Sequence, residues 1–175
     1  PPRILVRAYA LSALLTESDR VGVTLCLSCG PNHADVLLLS DGAAVSARSL
    51  NVPEESTGLD LAEHLQRELQ RFLLSLPDRF DDLEVDRLIV MEQPDKDSAT
   101  AGRLSASLGC GVEHVDPFAA ADSDEGKLPG DRGRFAPRVG MVLGEATSLQ
   151  PAVAFLKPRR PKPPARRRRR SCVCA

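Results

Sequence analysis

Two cysteines three positions apart, Cys26 and Cys29, have the spacing in this sequence that most suggests chemistry. A Cys-x-x-Cys pair acts as a redox dithiol at a strand-to-helix junction, or supplies half of a zinc site. Here the pair falls at the end of a predicted strand that turns into a hairpin, and His33, His64 and His114 are not spaced as metal ligands. We therefore expect buried thiols in a reducing compartment, and no metal site.

The other polar residues do not form a recognisable catalytic arrangement. No Ser-His-Asp or Cys-His set has a supporting motif, so no catalytic residue is predicted. The acidic clusters at 81–86 and 122–125 are typical of solvated loops. The string from Gly140 to Gly144 is G-x-x-x-G, which outside a long apolar segment indicates close helix packing in a soluble core.

Basic residues are concentrated at the C-terminus. Nine of the 23 Lys and Arg residues follow Leu156 and none of the 24 Asp and Glu residues does, so residues 1–156 carry a formal charge of −10 and the tail +9. An acidic body argues against nucleic-acid binding by the body. The charge of the tail therefore needs an interpretation of its own.

Three apolar segments near the N-terminus predict an antiparallel meander. They cover residues 21–27, 34–39 and 43–52, and the turns between them contain Gly30-Pro31 and the hairpin dipeptide Asp41-Gly42. In the third segment, apolar side chains alternate with polar ones. Before the meander, residues 4–15 predict a short helix that is poorly anchored at its N-terminal end.

The rest of the chain alternates helices and strands. Leucines at helical spacing predict a long amphipathic helix over 60–76. Strands are predicted at 86–91 and 112–115, helices at 99–108 and 137–146, a mobile loop at 118–132 and an extended segment at 151–156. Because aromatic residues make up only 3% of the chain, we expect a core of Leu, Val and Ala. The predicted fold class is α/β with a mixed sheet and helices packed on it.

Five segments carry a resemblance to a known family: "VTLCLSCGPNHADVLLLSDGAAVSARSL", "LDLAEHLQRELQRFL", "VDRLIVMEQPDKDSATAGRLSASLG", "VEHVDPF" and "FAPRVGMVLGEA". In order and character they resemble the second lobe of an actin-like ATPase (RNase H-like) fold. The likeness is greatest to the PilM/GspL proteins of type IV pilus assembly and type II secretion. The resemblance implies a three-stranded meander extended by further strands, and a role in assembly at a membrane.

The resemblance also implies a nucleotide cleft, from which this chain departs. The phosphate loop aligns with Ser28, Gly30 and Asn32, but serine stands where the family has an acid that holds the metal-bound water. The adenosine-side loop aligns with Glu92 and Gln93, where bulky and acidic residues replace a Gly-Gly turn. The first phosphate loop belongs to the other lobe. We therefore expect no cofactor, and we expect ATP to bind only when the other lobe is present.

The tail is open to four interpretations. Its arginines fit nucleic-acid or nuclear targeting, Cys172-Val-Cys-Ala175 fits C-a-a-X prenylation on paper, and the whole segment fits a disordered charged end. The fourth is a proline-rich juxtamembrane linker before a membrane span, following the positive-inside rule. Each arginine near anionic lipid contributes about 1 kcal/mol. The predicted membrane-surface residues are Arg166, Arg167, Arg168, Arg169 and Arg170.

The sequence thus predicts three parts: a helix left from a preceding lobe (1–20), an actin-like lobe (21–150) and a disordered Pro/Arg-rich linker (151–175). The predicted function is a scaffold on the cytoplasmic face of the bacterial inner membrane, without ATP hydrolysis. Its partners would be inner-membrane pilus or secretion components, their assembly ATPase and anionic lipid, but no nucleic acid. The alternatives are a nucleotide-binding switch of the actin-like class, or a basic-tailed interaction protein unrelated to secretion.

Overall fold

The computed structural model of this 175-residue chain describes residues 6–54, 57–76, 83–92, 99–119 and 128–147. Its centre is a five-stranded sheet in the order β3-β2-β1-β4-β5. The first three strands form the predicted antiparallel meander, while β4 is parallel to β1 and β5 is parallel to β4. The strands are β1 (Val23–Cys29), β2 (His33–Ser40), β3 (Ala43–Asn51), β4 (Arg87–Met91) and β5 (Gly111–Val115).

Within the described residues, three α-helices follow the meander, as the sequence predicts. They are α1 (Gly58–Leu74), α2 (Ala99–Leu108) and α3 (Ala136–Ala146). The bounds of α2 agree with the prediction, and those of the strands and the other α-helices differ by one or two residues. The N-terminal helix is a 3-10 helix (Arg7–Leu14), and further 3-10 turns lie at Ser18–Arg20 and Gly133–Phe135.

One face of the sheet is covered by α1 and α2. The apolar residues of α1 recur every three or four positions, so Leu65, Leu69 and Phe72 point the same way and are buried. They belong to one core cluster with Leu25 of β1 and Leu104 of α2. Burying a side chain of this size contributes about 1.5–3 kcal/mol, so these residues hold α1 against the sheet.

The other face is covered by the 3-10 helix and α3. Leu11 of the 3-10 helix is fully buried there with Cys26 and Ile89. The predicted close packing at the G-x-x-x-G string is confirmed, because a Cβ added at Gly140 would lie 2.9 Å from the carbonyl carbon of Ala10. The absence of a side chain lets α3 approach the backbone of the 3-10 helix.

The 3-10 helix is anchored at its N-terminal end, which corrects the expectation that this end is poorly held. Arg7 Nε lies 2.8 Å from Oδ2 of Asp35, a fully buried carboxylate near the start of β2. The two atoms are not aligned as a hydrogen bond, so the contact is an ion pair. Ser49 donates a hydrogen bond to the same carboxylate. The division of the chain at residues 20 and 150 stays a prediction.

Two features of the meander follow from local backbone geometry. The hairpin dipeptide is confirmed: Asp41 (φ 46°) and Gly42 (φ 75°) both adopt positive φ, as a two-residue hairpin turn requires. In β3 the predicted alternation of apolar and polar side chains is interrupted. Leu38 pairs with Ser46 but the next residue, Leu39, pairs with Ala44, so the pairing skips one residue of β3. Val45 between them is the extra residue of a β-bulge, and it packs on the α1/α2 face while Ala47 packs on the other.

None of the helices in the described ranges is both long and apolar enough to span a membrane.

Candidate functional site

The two loops that the sequence assigns to a nucleotide cleft lie at one end of the sheet. β1 and β4 are adjacent and parallel, with Leu27 opposite Val90, so their carboxyl ends point the same way. The β1–β2 hairpin follows one strand and Glu92 follows the other. In open α/β sheets, ligands bind in the crevice beyond such strand ends. A third segment, the turn from Gly133 to Phe135, packs against the same end and was not predicted.

Ser28 is fully buried, and its hydroxyl is not directed to a ligand. Its Oγ donates a 2.8 Å hydrogen bond to the carbonyl oxygen of Gly133, 105 residues later in the chain. Gly133 in turn sits directly on the strand ends, because an added Cβ would overlap the carbonyl oxygen of Met91. The predicted phosphate-loop serine therefore joins β1 to the turn before α3.

Two donors in the rest of the predicted phosphate loop are used within the protein. The Gly30 amide donates to the carbonyl oxygen of His33 at 2.8 Å and closes the hairpin. Pro31 has no amide proton. The Asn32 side chain donates to Glu54 Oε1 at 2.9 Å. The His33 ring lies against Gly30, and Arg7 hydrogen-bonds that ring.

Of the predicted adenosine-side residues, Glu92 is placed and Gln93 lies outside the described residues. Glu92 Oε1 is 2.9 Å from Nδ1 of His114, with both side chains mostly buried. A partly buried ion pair, Arg132 with Asp116, lies nearby, and each of its side chains is 13% exposed. The sequence does not predict this pair, because residues 118–132 have the composition of a mobile loop.

A pocket of about 360 Å³ opens between these segments. We call it the strand-end pocket. Its floor is apolar and its rim carries one arginine and two acids, so the surface on which a ligand would rest is largely apolar. It brings Glu92 and Cys29 together, but it does not include Ser28 or Asn32. The lining comprises Leu27, Cys29, Thr57, Gly58, Leu61, Val90, Met91, Glu92, Ala99, Thr100, Ala101, Leu104, Gly130, Asp131, Arg132 and Gly133.

The described residues of the pocket do not fit a nucleotide. A triphosphate needs donors and positive charge, but Arg132 is already paired with Asp116, while Glu92 and Asp131 would repel phosphate. Asp131 is 3.9 Å from Arg134, too loose and exposed a pair to cancel its charge strongly. Across the part of the chain that the structure describes, no group of three or more His, Cys, Asp or Glu side chains is placed to hold a metal ion.

The two cysteines of the Cys-x-x-Cys pair do not lie side by side as a redox dithiol or a half zinc site would require. Side chains three apart on a strand point to opposite faces, so Cys26 packs beneath the 3-10 helix while Cys29 lines the strand-end pocket. Burial, with a smaller contribution from the charge of Asp19, raises the pKa of Cys26 to about 12. Burial also raises the pKa of Cys110. The prediction of a buried core thiol is confirmed for Cys26.

The predicted membrane-surface arginines, Arg166 to Arg170, lie outside the described residues, as do Cys172, Cys174 and the segment 151–156. The prediction that this part of the chain meets a membrane surface stays a prediction.

Comparisons with known proteins identify the fold. No family model matches the sequence, and no curated protein matches it. The structure is similar to that of the PilM-PilN type IV pilus biogenesis complex, with a TM-score of 0.55 and 20% identity over 79% of this chain and 51% of that chain.

Two further solved structures are similar at a lower level. One is a Bacteroides thetaiotaomicron protein with an actin-like ATPase fold and unknown function (TM-score 0.42, 13% identity, 61% of this chain and 39% of that chain). The other is T. thermophilus RuvC in complex with Holliday junction substrate (TM-score 0.39, 10% identity, 72% and 96%). At these TM-scores neither carries an argument.

This chain spans about half the length of the pilus biogenesis protein that it resembles. The fold predicted from the sequence is confirmed, since the meander, the two parallel strands and the helices on both faces occur in the predicted order. The chain therefore has a mixed α/β fold similar to that in the PilM-PilN type IV pilus biogenesis complex.

Proposed function

We propose that this chain is a scaffold lobe of a type IV pilus or type II secretion assembly platform, and that it works through protein contacts without hydrolysing ATP. Two observations support the proposal. The fold is similar to that of the PilM-PilN type IV pilus biogenesis complex. The phosphate-loop position holds a serine whose hydroxyl bonds to Gly133, and this second observation carries the argument.

The hydrogen bond between Ser28 and Gly133 means that the phosphate-loop position makes a contact within the protein. A phosphate loop in an ATPase offers unpaired backbone amides and a carboxylate that positions a metal ion. Here the Gly30 amide is used inside the hairpin, Pro31 has none, and Ser28 holds the turn before α3. Rigid strand ends of this kind suit a protein that presents a fixed surface to its partners.

The same proposal assigns a place and partners to the chain. We infer that it lies on the cytoplasmic face of the inner membrane, with Arg166 to Arg170 on the anionic lipid surface. Its partners would be a PilN-type inner-membrane component, or the corresponding secretion component, and the assembly ATPase. These contacts would be made through the edges of the sheet, the exposed side of α1 or the acidic loops.

The test compares two ligands on the intact protein that contains this chain. Calorimetric titration with Mg·ATP should give no binding heat at millimolar nucleotide. Fluorescence anisotropy with a labelled cytoplasmic segment of the PilN-type protein from the same genome should give saturable binding. Hydrolysis of ATP would overturn the proposal that the protein is not an ATPase, and the lack of any binding to the PilN-type segment would overturn the scaffold role.

A further inference from the structure

The strand-end pocket combines an apolar floor with a rim of surplus negative charge. Leu27, Leu61 and Leu104 contribute to the floor. At the rim, Arg132 is neutralised by Asp116. Glu92 lies 2.9 Å from the ring of His114, and Asp131 lies 3.9 Å from Arg134. The carboxylates of this group therefore outnumber its arginines by one. A volume of about 360 Å³ is at the small end of the range of about 300–1,000 Å³ for ligand pockets. The pocket thus suits one or two apolar side chains that are followed by positive charge.

One segment of the chain outside the described residues has this chemistry. Phe155 and Leu156 are adjacent apolar residues, and Lys157, Arg159 and Arg160 follow them at once. No acid occurs anywhere after Leu156, so nothing in the tail would be repelled by the rim. The order of the residues, apolar first and basic next, matches an apolar floor inside an acidic rim.

The chain between α3 and this segment is long enough to reach the pocket. Gly133 lines the pocket and leads within three residues into α3. The 11 residues of α3 carry the chain about 16 Å away from that point. The nine residues from Thr147 to Phe155 span up to about 30 Å when extended, which exceeds the distance that they must cover to return.

We propose that residues 153–160 dock in the strand-end pocket of the same chain. Phe155 and Leu156 lie against its apolar floor, and Lys157 and Arg159 lie beside Glu92 and Asp131. A tethered segment needs only a weak site, because the linker holds it at an effective concentration in the millimolar range. The proposal does not rest on a pilus or secretion role, since it uses only the pocket, the charges and the length of the chain.

Docking is measured with a single fluorophore, because the chain contains no tryptophan. The full chain with Phe155→Trp should emit at a shorter wavelength than the same chain in denaturant, and acrylamide should quench it several-fold more slowly. Its emission should be independent of protein concentration, as expected for contact within one molecule.

Two pocket variants and one matched control locate the contact. Gly130→Leu narrows the pocket, and Asp131→Lys replaces one negative charge of its rim by a positive charge, so each should return the tryptophan to a solvent-exposed spectrum. Gly102→Leu, on the exposed side of α2, should change nothing. An added Cβ meets no heavy atom within 4 Å at either glycine, so both leucine variants should keep the fold.

Three results would overturn the proposal: a solvent-exposed spectrum in the Phe155→Trp chain, a spectral shift that survives both pocket variants, or a shift that depends on protein concentration and so reports contact between copies. Hydrogen exchange on the unsubstituted chain provides a second measurement, because tryptophan is larger than phenylalanine. Exchange in residues 153–157 should be slowed, and Gly130→Leu should remove that protection.

Discussion

The contact between α3 and the 3-10 helix makes opposite predictions for two glycines of one helix. A Cβ added at Gly140 would overlap the carbonyl group of Ala10, with the carbonyl carbon at 2.9 Å. A Cβ added at Gly144 would meet only the Cβ of Ala13, at an ordinary contact distance of 3.7 Å. Gly140→Ala and Gly144→Ala are therefore the same chemical change, four residues apart, in two different environments.

The magnitudes decide the sign of each effect. Replacing glycine by alanine within a helix stabilises it by about 1 kcal/mol. Overpacking costs about 1–3 kcal/mol, and the upper end applies to Gly140 because the obstructing atoms of Ala10 belong to the backbone and have no rotamer to change. Gly140→Ala should thus lower the free energy of unfolding by about 2 kcal/mol, whereas Gly144→Ala should raise it by about 0.5–1 kcal/mol.

Urea unfolding followed by far-UV circular dichroism measures both changes. With a slope of about 1–3 kcal/mol/M for small proteins, Gly140→Ala should lower the midpoint by about 1 M, and Gly144→Ala should raise it by roughly 0.25–0.5 M. If Gly140→Ala is as stable as Gly144→Ala, the close approach of α3 to the 3-10 helix is wrong.

Three further predictions concern single side chains. Arg7→Ala leaves the fully buried Asp35 carboxylate without its counter-ion and should lower the free energy of unfolding by about 3–5 kcal/mol. Asp35→Ala leaves a guanidinium that is 42% exposed and should lower it by less. Equal urea midpoints for the two variants would contradict the ion pair. Ser28→Ala removes the donor to the Gly133 carbonyl and should lower the free energy of unfolding by about 1–3 kcal/mol. The same urea experiment measures this change, and an unshifted midpoint would refute the hydrogen bond between β1 and the turn before α3. Because the pKa of Cys26 rises from 9.0 to about 12 on folding, the unfolded chain ionises first, and stability should fall from pH 9 towards pH 12 by up to about 1.4 kcal/mol per pH unit. Cys26→Ala should lack this part of the slope.

The parts of the fold with periodic or local signals could be predicted from the sequence. The leucines of α1 repeat at helical spacing, and Asp41-Gly42 adopts the positive φ that makes this dipeptide a hairpin signal. The alternation in β3 could not be extrapolated across Val45, because one extra residue reverses the face of every later side chain. The 3-10 form of the N-terminal helix was also missed, since it depends on contacts with α3 and Asp35 rather than on a pattern of its own.

Ser28 and Glu92 lie at the carboxyl ends of β1 and β4, and their assignment to a nucleotide site stays a prediction. The partner of Ser28 is 105 residues away in the sequence, and no spacing rule connects it to Gly133. The sequence Gly130-Asp-Arg-Gly133, in which two glycines flank a charged pair, is a signal for this turn. It lies within the segment that the sequence predicts only as a loop.

The bulge at Val45 has a consequence for how copies of this protein behave at high concentration. β3 forms one edge of the sheet in the order given, and a long regular edge offers a template on which another strand can add. An extra residue breaks the even spacing of amide and carbonyl groups and increases the local twist. Natural proteins use such irregularities to prevent strand-to-strand growth between molecules. A deletion of Val45 that restores a regular edge should therefore make the protein more prone to form ordered β-rich aggregates.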